Sequence, residues 1–250
     1  MLARLVSRLD TTSSRYGMEI SAEKIKLMTN STQPIQRKIT VSGQELETVT
    51  QFKYLGAIIS QEGSKPEVLA RSAQTATALA KLKPLWRDKN ITLKCKLKLL
   101  HALVLSIYLY ACESWTLTAE LQKKIQAMEM RCYRRLLGIS YKDHISNEEV
   151  RKSIIQHVRH YEELLSTVKK RKLRWYGHIS RSSGLSKTVL QGTVQGGRRR
   201  GRQKKQWSDN ISEWTGKNFA TTQKIVHDRQ KWRYLVRRST MQRLHDPGKG

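Results

Sequence analysis

Acidic residues are scarce here and unevenly placed. The 250-residue chain carries 48 Lys and Arg against 20 Asp and Glu, and no acid falls between Leu164 and Ser208. A formal charge of +28 implies a polyanionic partner, most simply nucleic acid, with an anionic membrane surface as the other candidate. A solvated basic surface is a poor account, because self-repulsion on this scale needs counter-charge. Cysteine is also sparse. Cys95, Cys112 and Cys132 are odd in number and far apart, which excludes a disulfide framework and suits a reducing interior. Long apolar runs are missing. The longest uncharged stretch, Leu99 to Cys112, holds His101 and Ser106 and is too short to span a bilayer. Met1-Leu2-Ala3-Arg4 brings no apolar segment of the kind a signal peptide needs, so a water-soluble chain without membrane attachment is expected.

What is present falls into two textures. β-branched and aromatic residues crowd only near the start, in Ile39-Thr40-Val41, Leu46-Glu47-Thr48-Val49 and Gln51-Phe52-Lys53-Tyr54-Leu55-Gly56-Ala57-Ile58-Ile59. Short runs broken by Ser42-Gly43 predict a small antiparallel meander. Gly56 within the last run predicts a bulge or a close backbone approach. Strand alternation predicts a partly exposed Tyr54 and a buried Leu55. Ahead of these lies a helix carrying Leu2, Leu5, Val6 and Leu9, stopped near Gly17, and a short strand at Ile25 to Met28.

After Ser64 the pattern is helical. Ser64-Lys65-Pro66-Glu67 reads as a capping box opening a helix toward Pro84. A second helix comes after Thr92, with Leu97, Leu100, Leu103, Val104, Ile107 and Tyr108 as its buried face. A third carries Leu121, Ile125, Met128, Cys132 and Leu136 at helical spacing and ends at Gly138. Ser146-Asn147-Glu148-Glu149 caps a short helix, and Tyr161 to about Ile179 forms a longer one. Ser182 to Gln206 reads as a Gly-, Ser- and Arg-rich loop or linker, succeeded by helices bearing Trp207, Ile211, Trp214, Ile225, Val226, Trp232, Leu235 and Val236. The fold class is α+β, mostly α.

Catalytic and metal signals are weak. His157 and His160 could share a helix face, yet no Cys or Asp stands at ligand distance in sequence. Glu148-Glu149 and Glu162-Glu163 read as helix-start charges. Cys95 between lysines reads as a partly buried structural thiol. No Ser-His-Asp or phosphate-loop pattern appears, and no small-molecule substrate is expected. The nucleic-acid signal is stronger. Thirteen positive residues lie between Leu164 and Ser208, among them Lys169, Lys170, Arg171, Lys172, Arg174, Arg181, Arg198, Arg199, Arg200, Arg202, Lys204 and Lys205. Trp175, Tyr176 and Trp207 are interleaved with them, where aromatics can stack bases, although core packing is the better reading of Trp175 and Trp207. The run from Gly197 to Lys205 suits nuclear import as well as phosphate contact.

Phe52-Lys53-Tyr54-Leu55-Gly56 resembles the hairpin that comes after the catalytic core of LINE-type (non-LTR) retrotransposon reverse transcriptases. Upstream, Arg15-Tyr16-Gly17-Met18-Glu19-Ile20-Ser21 and Lys24-Ile25-Lys26-Leu27-Met28 look like the family's link to that hairpin. Downstream, Tyr110-Ala111-Cys112-Glu113-Ser114-Trp115, Leu173-Arg174-Trp175-Tyr176-Gly177-His178 and Gly197-Arg198-Arg199-Arg200-Gly201-Arg202 are similar to its C-terminal region, in the same order.

The resemblance implies a β-hairpin remnant of a polymerase palm (1–63), a helical thumb (64–140), a basic helical extension (141–181), a basic linker (182–206) and C-terminal helices (207–245). It implies a primer grip formed by Phe52, Lys53, Tyr54, Leu55 and Gly56, and a Lys24 near nucleotide phosphates. The family's catalytic Tyr-x-Asp-Asp turn is absent, and Asp10 stands alone on its helix. The family enzyme uses Mg²⁺; this chain, lacking that carboxylate pair, is expected to hold no cofactor. The Cys/His clusters of members with a zinc knuckle are absent too. The expectation is therefore a C-terminal fragment of an RNA-directed DNA polymerase that grips primer–template RNA and DNA by their backbones without copying them. The alternatives are a non-enzymatic nucleic-acid-binding protein derived from such an element, and an interaction protein whose helices serve a partner. Localisation is expected to be nuclear, otherwise cytoplasmic.

Overall fold

The computed structural model describes residues 2–29, 39–41, 43–158, 160–192 and 204–241. Two units divide the chain, Met1–Glu67 and Val68–Gly250. The first opens with helix α1 (Leu2–Arg15), and the chain turns out of it at Gly17, whose φ of +70° suits a residue without Cβ. Val6 of α1 packs with Ile20, Ile25 and Leu27 against the buried Ile39, Val41 and Leu46. Six short strands come next: β1 (Lys26–Leu27), β2 (Thr40–Val41), β3 (Gln44–Glu45), β4 (Glu47–Thr48), β5 (Gln51–Tyr54) and β6 (Ala57–Ser60).

They do not form the expected meander. β2 and β3 make one antiparallel ribbon about Gly43. β4 instead pairs in parallel with β1, where Lys26 and Glu47 also form an ion pair. The run from Gln51 closes on itself as the β5–β6 hairpin. A left-handed residue pair inside that run folds it, and this overrides the strand propensity that predicts one continuous strand.

The second unit is helical: α2 (Lys65–Lys81, whose first three residues precede the division), α3 (Lys83–Arg87), α4 (Leu93–Leu99), α5 (Ser106–Tyr108), α6 (Ala119–Leu137), α7 (Asn147–Ile155), α8 (Leu164–Arg181), α9 (Leu185–Gln191), α10 (Asp209–Thr215), α11 (Phe219–His227) and α12 (Arg229–Thr240). The stripe on α6 is buried as predicted, capped by Thr118 and ended by Gly138 at φ +72°. Ser146 and Glu149 form the expected capping box. Between α4 and α5, Leu100–Leu105 is a π-helical turn. Its wider turn rotates the helix face, so Leu105 enters the core and Leu103 is left 46% exposed, the reverse of a straight helix. Helix α8 starts at Leu164, three residues later than expected. Helix α9 lies inside the stretch that composition marks as linker.

Two apolar clusters fill this unit. One joins α2 to α7 with Leu164, Leu165 and Val168 of α8. The other gathers Leu173 and Tyr176 of α8 with Ile211, Val226, Trp232 and Val236. Helix α8 thus runs through both, and Lys172 sits at the crossing.

Lys172 is fully buried. Its Nζ donates to the Trp115 carbonyl at 2.7 Å and to Asn210 Oδ1 at 2.9 Å, and lies 4.4 Å from the Trp207 ring centroid and 5.5 Å from that of Trp214. Asn210 completes the knot by accepting from Leu117 N at 2.7 Å and donating to Leu117 O at 2.9 Å. Arg171 donates to the Leu109 carbonyl and Trp207 Nε1 to that of Glu113. The segment 109–117, which contains the Tyr110–Trp115 motif, is therefore a loop of carbonyls that receives α8, Trp207 and α10. Ala111, at φ +53°, bends it into shape. Desolvation pushes the Lys172 ammonium down to about 6, Lys205 adds to this, and Asp209 and Glu213 pull the other way.

A second buried group holds the start of α8. Glu129, from α6, accepts the Leu164 N–H at 2.8 Å, supplying the acceptor that the helix N-terminus lacks locally. Burial raises its carboxyl to about 7; the Leu164 N–H opposes that rise and neighbouring Glu163 adds to it.

These packing relations set two expectations. Gly177 on α8 is buried, and a Cβ there would fall inside the Trp232 indole. Gly→Ala within a helix ordinarily stabilises by about 1 kcal/mol. Gly177→Ala is expected instead to destabilise by about 1–3 kcal/mol, read as a lowered denaturation midpoint.

The second expectation concerns pH. Lys172 binds fewer protons folded than unfolded between about 6 and its ordinary 10.5, so it makes stability rise with pH there. Glu129 binds more protons folded between its ordinary 4.5 and about 7, so it makes stability fall as pH rises there. Urea midpoints measured across pH should show Lys172→Met flattening the alkaline rise and Glu129→Gln flattening the acid-side fall.

Candidate nucleic-acid interface

The β5–β6 hairpin is the candidate surface of the first unit. Its register pairs Phe52 with Ile59, Lys53 with Ile58 and Tyr54 with Ala57, leaving Leu55-Gly56 as a two-residue turn. Both turn residues have positive φ, +47° and +84°, the pattern of a type I′ turn, whose twist matches that of the strands it joins. Gly56 is thus the turn glycine, not a bulge. Leu55, expected to be buried, stands at the tip and is 76% exposed. A leucine in the left-handed region costs about 1–2 kcal/mol, so an apolar side chain is held at the tip against local preference. Tyr54 is 57% exposed, as alternation predicts. Lys53 is exposed on the opposite face and Phe52 is half-buried.

The hairpin stem is anchored. Glu67, at the start of α2, is 3% exposed, and its Oε2 accepts the Ile58 N–H at 2.7 Å. Glu67 thus fixes strand β6. Lys24 is exposed in a turn.

The basic tract divides once the fold is known. Arg198, Arg199, Arg200 and Arg202 lie outside the described residues. Lys204 is exposed, whereas Lys205 pairs with Glu213. Lys172 is withdrawn into the core, Lys170 pairs with Glu162 at 2.9 Å, and Lys169 is half-buried over the Trp214 ring. Arg174 projects into solvent. Trp207 is a packing residue bridging Glu113 and Lys172. Trp175, 40% exposed, stands edge-on to it at 5.4 Å.

Sequence reasoning missed a second basic row. Arg229, Arg233 and Arg237 recur every fourth residue along α12 and are all exposed. The Arg-x-x-x-Arg-x-x-x-Arg spacing was the available signal, overshadowed by the denser run upstream.

Among the described residues, no group of three or more His, Cys, Asp or Glu side chains converges where a metal ion could sit. His157 is exposed, its Nδ1 2.9 Å from the Ser153 carbonyl. No helix among those residues is long and apolar enough to cross a membrane.

No protein-family model matches the chain, and no solved structure matches it. A Caenorhabditis elegans protein, named as an uncharacterized protein of inferred transposon derivation, is 25% identical over 254 residues, spanning 95% of this chain and 89% of that protein. This similarity supports a transposable-element origin for the chain.

Proposed function

We propose that the chain is the C-terminal portion of a LINE-type reverse transcriptase, and that it grips a primer–template through the β5–β6 hairpin without catalysing nucleotide transfer. The observation that carries this reading is the hairpin tip, where Tyr54 and Leu55 are presented to solvent on a stem locked by Glu67. An exposed aromatic ring stacks on a base or sugar without sequence preference, and Lys53, one residue back on the opposite face, reaches phosphate. Lys24 would contribute a further phosphate contact. The basic run through Arg198, Arg199, Arg200, Arg202, Lys204 and Lys205 would add sequence-independent affinity and serve nuclear import. Polymerase chemistry needs a carboxylate pair holding two metal ions, and this sequence lacks the family's Tyr-x-Asp-Asp turn.

A second reading, a stand-alone nucleic-acid-binding protein derived from such an element, draws on the arginine rows of α8 and α12, which need no primer terminus.

The test uses the double variant Tyr54→Ala, Leu55→Asn, because Asn tolerates the left-handed turn and leaves the hairpin intact. Fluorescence anisotropy should show binding to a recessed primer–template weakened roughly fivefold, about 1 kcal/mol, with less than about twofold change on a blunt duplex. Equal loss on both ligands favours the second reading. The purified chain should show no templated incorporation above background with Mg²⁺ or Mn²⁺, and reproducible extension would overturn both readings.

A further inference from the structure

Helices α8 and α12 enclose a groove of about 1100 Å³ whose two rims are basic. On α8, Lys170, Arg174 and Arg181 fall on one stripe, at spacings of four and seven. On α12, Arg233 and Arg237 face them, with Arg229 one turn earlier. Gly177 lies on the same α8 stripe, between Arg174 and Arg181, and the Trp232 indole fills the space its missing side chain leaves. The helices therefore meet closely at the floor, while the charged side chains on either side remain as walls.

The two ends of the groove differ in charge. At the α8 N-terminus acids answer the bases: Glu162 pairs with Lys170, and Glu163 with Arg151 at 3.5 Å. Toward the other end, among the described residues, Arg174, Arg229, Arg233 and Arg237 have no carboxylate within ion-pair reach. Arg181 donates to the Val226 carbonyl at 3.0 Å, in the last turn of α11. Burial lowers the pKa of Arg181, and the charges of Arg229 and Arg233 press it the same way. A cluster of like charges held together without acids costs free energy until an anion occupies it.

We propose that this groove is a binding site for one strand of nucleic acid, whose successive phosphates lie between Arg174 and Arg181 on one side and Arg233 and Arg237 on the other. The proposal rests on the nucleic-acid reading above but concerns a different surface from the hairpin. Two features favour a single strand. Arg233 and Arg237, four apart on α12, are offset by a rise of about 6 Å, which suits successive phosphates of an unstacked strand, while Arg174 and Arg181, seven apart, are offset by about 10.5 Å and meet non-adjacent phosphates. The floor of a groove between two packed helices has room for one sugar–phosphate chain, whereas a duplex would meet only the rims. Guanidinium forks suit phosphate oxygens, and no base-specific contact is required.

The experiment compares two triple variants of the full chain. Arg174→Ala, Arg233→Ala, Arg237→Ala empties the groove of exposed charges that have no ion-pair partner. Lys217→Ala, Lys224→Ala, Arg238→Ala removes the same charge from positions that do not line it. Binding is read by anisotropy with fluorescein-labelled oligouridylate, oligothymidylate and a blunt duplex of equal length, over a salt series. The groove variant should weaken both single strands roughly tenfold and reduce the slope of log K against log salt by about 2, three contacts at ~0.7 each. The control variant should shift affinity by less than about threefold. Equal effects of the two variants, or a loss confined to the duplex, overturn the groove and leave the hairpin reading standing. A wild-type chain that binds none of the three probes overturns both. Unchanged circular-dichroism melting in both variants excludes unfolding as the cause.

Discussion

Burying one lysine at the crossing of two apolar clusters is the constraint on which the helical unit depends. Lys172 sits where α8 passes from the α2–α7 cluster to the α10–α12 cluster, and its amino group needs oxygen acceptors because it is cut off from solvent. The Trp115 carbonyl and Asn210 Oδ1 supply them, and the indoles of Trp207 and Trp214 face the nitrogen. Every one of these partners comes from another part of the chain. Placing Lys172 therefore fixes the 109–117 loop, the start of α10 and the seating of Trp207 together. An apolar residue there would bury comparable surface but would specify none of these positions. The polar knot contributes more to uniqueness than to net stability, since desolvation offsets much of what the contacts gain.

That constraint explains why the basic tract misleads when read as a string. Thirteen positive residues between Leu164 and Ser208 look like one electrostatic feature. On α8 they separate by angle. Lys172 turns inward, Arg171 caps a loop carbonyl, Lys170 answers Glu162, and Arg174 stays in solvent. Composition constrains the partner's charge, whereas only helix phase and neighbouring acids decide which residues meet it. The arginines of α12 show the converse. They are fewer and spread along the chain, yet the fold lines them up.

The same distinction marks what was legible. The α6 stripe from Leu121 to Leu136, its Gly138 stop and the Ser146–Glu149 capping box were readable because each depends on residues within a few turns of one another. The hairpin was readable as Phe52-Lys53-Tyr54-Leu55-Gly56, but its turn was not. A leucine at positive φ contradicts local preference, and only the paired strands hold it there. The π-turn at Leu100–Leu105 was hidden for a similar reason, since any apolar run is compatible with a straight helix until packing selects the wider turn. The burial of Lys172 and Glu129 was least legible of all. Both were hidden because their partners, Asn210 and Leu164, lie more than thirty residues away in sequence.

Helix α8 thus carries two duties on one sequence, and they are coupled through Gly177. Its inward face, with Leu173, Tyr176 and Lys172, joins the two clusters. Its other edge forms one wall of the basic groove. Gly177 is where these meet: lacking a side chain, it lets Trp232 settle against α8, and that contact sets how closely α12 approaches. A bulkier residue there would widen the floor of the groove and disturb the apolar cluster in one step. Arg174, Arg233 and Arg237 can therefore vary individually, because each projects into solvent. The glycine cannot, because the spacing between the two charged walls is the same quantity as the packing distance of the core.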